Sequence, residues 1–177
     1  MSNEILPGTQ TLDNLREIMS HIDLGPTGSV QMMFAKLQLA QSQICKYEAE
    51  QYMEQITSTQ DKQEEVAEII KQARALQQEA KKNGEKAATE MPEDMRNFFL
   101  EHDLAWDETE NNYTHNASEW DFNIQQLMNY QESLGTKTQT QMVFLQDFIS
   151  QYNSYLQGAN SAIQESSDVL TAIATGR

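Results

Sequence analysis

Little in this chain could make a chemical site. Its one cysteine, Cys45, leaves no pair for an internal disulfide or a cysteine zinc centre, so a lone thiol in a helical stretch reads as a buried core residue. The three histidines, His21, His102 and His115, fall in separate segments with no histidine at i+4 and no Glu-x-x-His pairing, so no metal is expected. Cations are scarce, 12 Lys and Arg against 27 Asp and Glu for a net charge of -15. Phosphate binding draws on clustered Lys and Arg, so nucleic acid is not an expected partner. No apolar run approaches the roughly 18 residues of a membrane span, and a mean hydropathy of -0.67 predicts a soluble chain. A glycine-rich phosphate loop, a nucleophile elbow and a Cys/His arrangement are all missing, so neither an enzyme nor a cofactor is expected. The eight acids between Glu90 and Glu110 lack the Asp-x-Asp-x-Asp-Gly register of a calcium loop and read as solvated surface. The opening MSNEILPGTQTLDNLREIMS has neither a basic n-region nor an apolar h-region. The expectation is a cytosolic protein, or one exported by a route that reads no such signal. Without a secretory signal, the acceptor patterns Asn112-Tyr-Thr and Asn116-Ala-Ser read as coincidences.

What the chain does have is helical periodicity. From Ser118 to Ala174, steps of four and three pick out Trp120, Ile124, Leu127, Gln131, Leu134, Thr138, Gln141, Leu145, Phe148, Tyr152, Tyr155, Ala159, Ala162, Ser166, Val169 and Ile173. A second row at seven-residue spacing, Met142, Ile149, Leu156, Ile163 and Leu170, widens the apolar stripe beyond the needs of a two-helix coil. That half of the helix should touch more than one neighbour. Ser118 with Asp121 has capping-box spacing, and Gly176 marks a stop. Such a helix would be on the order of 80 Å long. Its flank carries amides rather than the usual Glu and Lys, among them Gln139, Gln146, Asn153, Gln157, Asn160 and Gln164. One reading is a solvated face. The sharper one is a face packed in a polymer or lining a polar channel, where unpaired charge would be costly and amides can find partners.

A second long helix is predicted from Ser29 to about Lys82, with Met33, Leu37, Ala40, Ile44 and Tyr47 on one stripe and Tyr52, Ile56, Thr59, Gln63, Val66, Ile70 and Ala73 on another. The register slips between Tyr47 and Tyr52, which predicts local unwinding or a change of partner. Asn83-Gly84 is the clearest helix stop, and Met91-Pro92 blocks continuation. The pattern is all-α: an antiparallel coiled-coil hairpin of two long helices with a short acidic, partly irregular module between them. Its expected parts are a mobile leader with a short helix at 1–28, the first long helix at 29–83, the module at 84–117 and the terminal helix at 118–177, in one domain. In the leader Leu12, Leu15, Ile18, Met19 and Ile22 form a short amphipathic stretch; in the module Met95, Phe98, Phe99 and Leu100 form an apolar face. Glycines Gly135 and Gly158 sit mid-helix at a cost of roughly 1 kcal/mol each relative to alanine; one reading is that the helix simply tolerates them, the other a bend at the first and a close helix approach at the second.

The run GSVQMMFAKLQLAQSQICKYEAEQYMEQITSTQDKQEEVAEIIKQA, then MPEDMRNFFLEHD, then TQTQMVFLQDFISQYNSYLQGANSAIQ resembles the EspA/SseB family of bacterial type III secretion filament proteins and, more widely, needle-tip proteins. The resemblance spans roughly residues 29–175. It implies an extracellular protein on the bacterial surface, exported through the secretion needle after a cytosolic export chaperone has masked its helices. It further implies assembly with copies of itself into a filament or tip conduit, in company with the needle subunit and pore-forming translocator proteins. Carried over to this sequence, Leu145, Phe148, Ile149, Tyr152, Leu156, Ile163 and Leu170 would make subunit contacts with Met33, Leu37 and Ile44 packed against them, and the amide face would line the lumen. The other reading is a soluble helical chaperone or adaptor that receives a partner helix in a closed oligomer.

Overall fold

The structure, a computed structural model, describes residues 15–24, 29–84, 87–107 and 113–176. It is mostly helical. A short helix α1 covers residues 15–21; then come α2 (Val30–Asn83), β1 (Ala88–Glu90), α3 (Glu93–Glu101), β2 (Thr114–Asn116) and α4 (Ala117–Thr175). Most of the expected leader, and with it Leu12, lies outside the described residues, as do Asn112, Glu108 and Glu110. Two compact units divide the chain: one holds the described residues up to Glu54 with those from Met142 on, the other is Gln55–Gln141. Both long helices contribute to each.

The helix ends follow from local chemistry. Ser29 caps α2, its Oγ accepting from the Met32 amide at 3.1 Å. Gly84 stands just past the last residue of α2 at φ 119°, where a side chain would be strained. At the start of α4 the capping box is not Ser118 with Asp121. Asn116 Oδ1 accepts from the amides of Ser118 (2.8 Å) and Glu119 (3.1 Å), while Glu119 Oε2 accepts from the Asn116 amide at 2.7 Å. The reason is β2, which brings the chain in extended form as far as Asn116, so the helix begins two residues early. Asp121 is thereby left to accept from Gln77 of α2.

In the second unit the helices lie antiparallel: Gln55 is bonded to Gln141 and Gln77 to Asp121 and the Ala117 carbonyl. Its core is large and apolar, with Val66, Ile69, Ile70 and Ala73 of α2 against Met95, Phe98 and Phe99 of α3 and Trp120, Ile124, Leu127 and Leu134 of α4. The strands β1 and β2 pair antiparallel with Thr89 opposite His115. No strand is foreseen in the sequence reading, because three residues are too few for an alternating pattern to register. Asp103, at φ 53°, turns the chain after α3, a conformation in which aspartate is tolerated better than most residues.

In the first unit α2 and α4 also run antiparallel, with Ser29 beside Ser166, Gln38 beside Gly158, Cys45 beside Gln151 and Tyr52 beside Phe144 and Phe148. The expected slip between Tyr47 and Tyr52 does not occur. Ala35, Gln38, Ser42, Cys45, Ala49, Tyr52, Ile56, Thr59, Gln63, Val66, Ile70, Ala73, Gln77 and Ala80 follow one unbroken alternation of three and four residues, and each is buried or half-buried. The sequence reading followed the larger Met33, Leu37, Ala40, Ile44 and Tyr47. At about 100° per residue these lie on the opposite side of α2 from that seam, so Met33, Leu37 and Ile44 do not pack into the α4 face.

Candidate assembly surface

The two units bury different kinds of side chain. Every residue buried in the first unit is small: Ala35, Ala40, Ser42, Cys45, Ala49, Ala159, Ala162 and Ser166. Small side chains let two helices approach toward the short end of the usual separation of about 8–10 Å, but they remove little apolar area from water. A methyl group contributes roughly 0.8 kcal/mol, against about 1.5–3 kcal/mol for a fully buried Leu or Phe. At Gly158 a Cβ would come within 2.9 Å of Gln38 Oε1, so the side chain of α2 fills the space the glycine leaves. At Gly135 α4 continues as α-helix, and a Cβ would meet Gln63 Nε2 at an ordinary 3.4 Å.

Large apolar side chains are correspondingly left outside. Of sixteen exposed large hydrophobic residues among those described, twelve belong to the first unit. Val30 (80%), Ile173 (71%), Leu170 (65%) and Val143 (64%) are the most exposed of these. Where such residues adjoin one another they mark a site of interaction. Where α2 begins and α4 ends, Leu24, Met32, Ile163, Val169, Leu170 and Ile173 line an apolar cleft of about 580 Å³.

The residues singled out in the sequence, all in this unit except Gln139, stand as follows. Met33, Ile149 and Leu170 are exposed; Leu37, Ile44, Leu145, Phe148, Tyr152, Leu156 and Ile163 are half-buried, so none is fully enclosed. Phe148 is held by its own chain, stacked on Tyr52 with ring centres 5.7 Å apart. Val169 and Ile173, placed on the α4 seam by periodicity, are exposed. The amides Gln139, Gln146, Asn153, Gln157, Asn160 and Gln164 are all exposed. Between Thr138 and Gln164 the one charge is Asp147, whose Oδ2 accepts from Gln151 Nε2 at 2.8 Å. The sequence reading missed the small-residue seam, whose signal was the repeat Ala35, Ser42, Ala49 at seven-residue spacing.

The seam turns polar in the second unit. Gln141 Nε2 donates to Gln55 Oε1 at 3.0 Å, and Thr59 Oγ1, which donates to the Gln55 carbonyl at 2.8 Å, lies 3.4 Å from Gln141 Oε1. Thr59 and Gln141 are buried, so a slip of register that parted them would leave buried polar groups without partners.

Burial, with Asp147 and Glu48 nearby, pushes the Cys45 thiol up from its ordinary value. Among the described residues no three His, Cys, Asp or Glu are grouped to hold a metal, and no helix is long and apolar enough to cross a membrane. Asn116 of the second glycosylation pattern has its side-chain amide bonded to Glu119 Oε1 at 2.7 Å, within the α4 cap. Compared with protein-family models, with curated proteins and with solved structures, the chain matches none.

Proposed function

We propose that this protein is a non-enzymatic structural subunit that assembles with copies of itself into the extracellular filament or needle-tip conduit of a bacterial type III secretion system, through which secreted proteins pass. The observation that carries the reading is the contrast within the first unit, where only small side chains are fully buried while twelve large apolar ones are exposed. Burying several Leu- or Ile-sized residues at roughly 1.5–3 kcal/mol each can offset the several kcal/mol of rigid-body entropy lost on association. Contacts that join different faces give a ring where the rotation closes and an open helical polymer where it does not, and the reading takes the second. In this reading the two long helices form one antiparallel coiled-coil hairpin, with the acidic segment between them outside the polymer wall. Met33, Ile149 and Leu170 meet neighbouring subunits, and Gln139, Gln146, Asn153, Gln157, Asn160 and Gln164 face the lumen. The needle subunit, pore-forming translocators and a cytosolic export chaperone follow from the family resemblance.

Sedimentation and electron microscopy of the purified chain test this, with Ile149→Asp and Leu170→Asp alongside. Both sites are exposed, so the variants should stay folded while losing assembly. Wild type is expected to form open-ended polymers at neutral pH; a monomer at high concentration overturns the reading. A discrete closed oligomer retained in the cytosol would point instead to a chaperone or adaptor.

A further inference from the structure

Four of the 12 Lys and Arg in this acidic chain, Lys71, Arg74, Lys81 and Lys82, fall between positions 71 and 82 of α2, where Glu79 is the one acid. All four are exposed. With about 100° and 1.5 Å per residue, they lie within an arc of about 100° over about 17 Å of helix, and Glu79 falls outside that arc. Lys71 is held by Glu68 at 3.1 Å. Among the described residues Arg74, Lys81 and Lys82 have no carboxylate partner, and the Arg74 guanidinium meets Met128 Sδ at 3.7 Å instead. Within this basic stripe Ala67, Ile70, Lys71, Arg74, Ala75 and Gln78 line a shallow cleft of about 330 Å³, with room for one apolar side chain.

The complementary surface is on α3. Glu93, Asp94, Asn97, Leu100 and Glu101 are exposed, and steps of about 100° put all five within an arc of about 120°. Leu100, at 64%, is the most exposed large apolar residue described in the second unit, and carboxylates flank it. The one cation of α3, Arg96, is turned onto the Tyr113 ring. Within one chain the two surfaces face apart. Tyr130 of α4 touches α3 at Phe98 and His102, whereas Met128 of α4 touches Arg74. Residues two apart in a helix point about 200° from each other, so α3 and the basic stripe lie on opposite flanks of the α2–α4 pair.

We propose that α3 of one copy docks on the basic stripe of α2 in the next, with Leu100 in the cleft and Glu93, Asp94 and Glu101 facing Lys71, Arg74, Lys81 and Lys82. Resting on the assembly reading above, this gives the polymer a second, ionic contact that runs head to tail. Exposed ion pairs add little affinity, but they steer encounter and fix orientation. The apolar side chains of the first unit therefore supply the association, and the α3 contact sets the register between successive subunits on the outer side of the polymer.

The test mixes full-length chains labelled with nitrogen-15 and unlabelled ones, then adds a carbodiimide, which joins a lysine amine to a carboxylate in ion-pair contact. Mass spectrometry of mixed-isotope peptides reads only links between copies. Lys71, Lys81 and Lys82 should link to Glu93, Asp94 or Glu101 at least fivefold more often than do Lys62 and Lys137, exposed lysines of the same unit outside the stripe. Arg74→Glu with Lys81→Glu should lower these links at least fivefold, and so should Glu93→Lys with Glu101→Lys. Mixing the two variants should restore links, now between positions 74 or 81 of one and 93 or 101 of the other. All four sites lie on the surface, and circular dichroism should show the helices intact. Links no more frequent than at Lys62 and Lys137, or no restoration in the mixture, would overturn the proposal and leave the stripe to an acidic partner other than this chain. Sedimentation of the same samples reports assembly separately: polymers without these links overturn the contact alone, and links without polymers uphold the contact while overturning the assembly reading.

Discussion

Trp120 is fully buried, and its indole N–H donates to Thr89 Oγ1 at 2.8 Å, which in turn donates to the Leu76 carbonyl at 3.1 Å. One hydroxyl therefore ties β1 to α2 and satisfies the only polar atom of the indole. Thr89→Val keeps the shape but orphans that N–H, and should cost about 1–3 kcal/mol in urea-unfolding free energy. His115 packs edge-on to the same indole, ring centres 5.1 Å apart, and burial lowers its pKa despite the opposing pull of Glu119 and Asp107. The folded state therefore holds it neutral, while the unfolded chain takes up a proton near its ordinary value of about 6.5. Stability from this residue is complete above that value and lost as pH falls below it. Between about pH 7 and pH 5.5 wild type should lose more stability than His115→Leu, measured by thermal or urea unfolding. Neither role was legible in the sequence, where Thr89 and His115 are 26 positions apart and nothing in a three-residue strand announces its partner. Arg96, the single cation among the acids from Glu90 to Glu110, places its guanidinium 4.1 Å from the Tyr113 ring centre.

At the scale of the helices, a tight seam and an open flank are two sides of one choice. Alanine and serine at the buried positions of the first unit permit a close approach of α2 and α4, and a seam of small side chains leaves the neighbouring Met, Phe and Leu side chains without a place inside it. Ala162→Leu should force the pair apart and cost about 1–3 kcal/mol through overpacking, read as a lower urea midpoint with little change in slope. The long helices were legible because a period of three and four persists through both, and the Asn83-Gly84 stop stands where α2 ends. The side of α2 that meets α4 was not. Hydrophobic size marks which residues prefer to leave water, but a close-packed seam selects for small side chains that carry little hydropathic signal, so the larger stripe through Met33, Leu37 and Ile44 drew the reading to the wrong face. The start of α4 was misread for a related reason: Asn116 with Glu119 and Ser118 with Asp121 both have capping spacing, and the strand entering at Asn116 decides between them.

For the molecule as a whole, the net charge of -15 works against any association of copies. Like-charged subunits repel over a Debye length of about 30 Å at 0.01 M salt, which shrinks to about 8 Å at 0.15 M. If assembly is driven by the apolar residues of the first unit, the polymer fraction measured by sedimentation should rise with salt over that range. A fall would mean that ion pairs hold the subunits. Legible in the residues alone were the two long helices, where the first of them stops, and the scarcity of cations, histidine and cysteine. These follow from composition and periodicity, which belong to the chain at any conformation. Only the tertiary structure decided which large apolar side chains stay outside. That outcome depends on how near two backbones come, and the distance is set jointly by the small residues of both helices, Ala35, Ser42 and Ala49 on one and Ala159, Ala162 and Ser166 on the other.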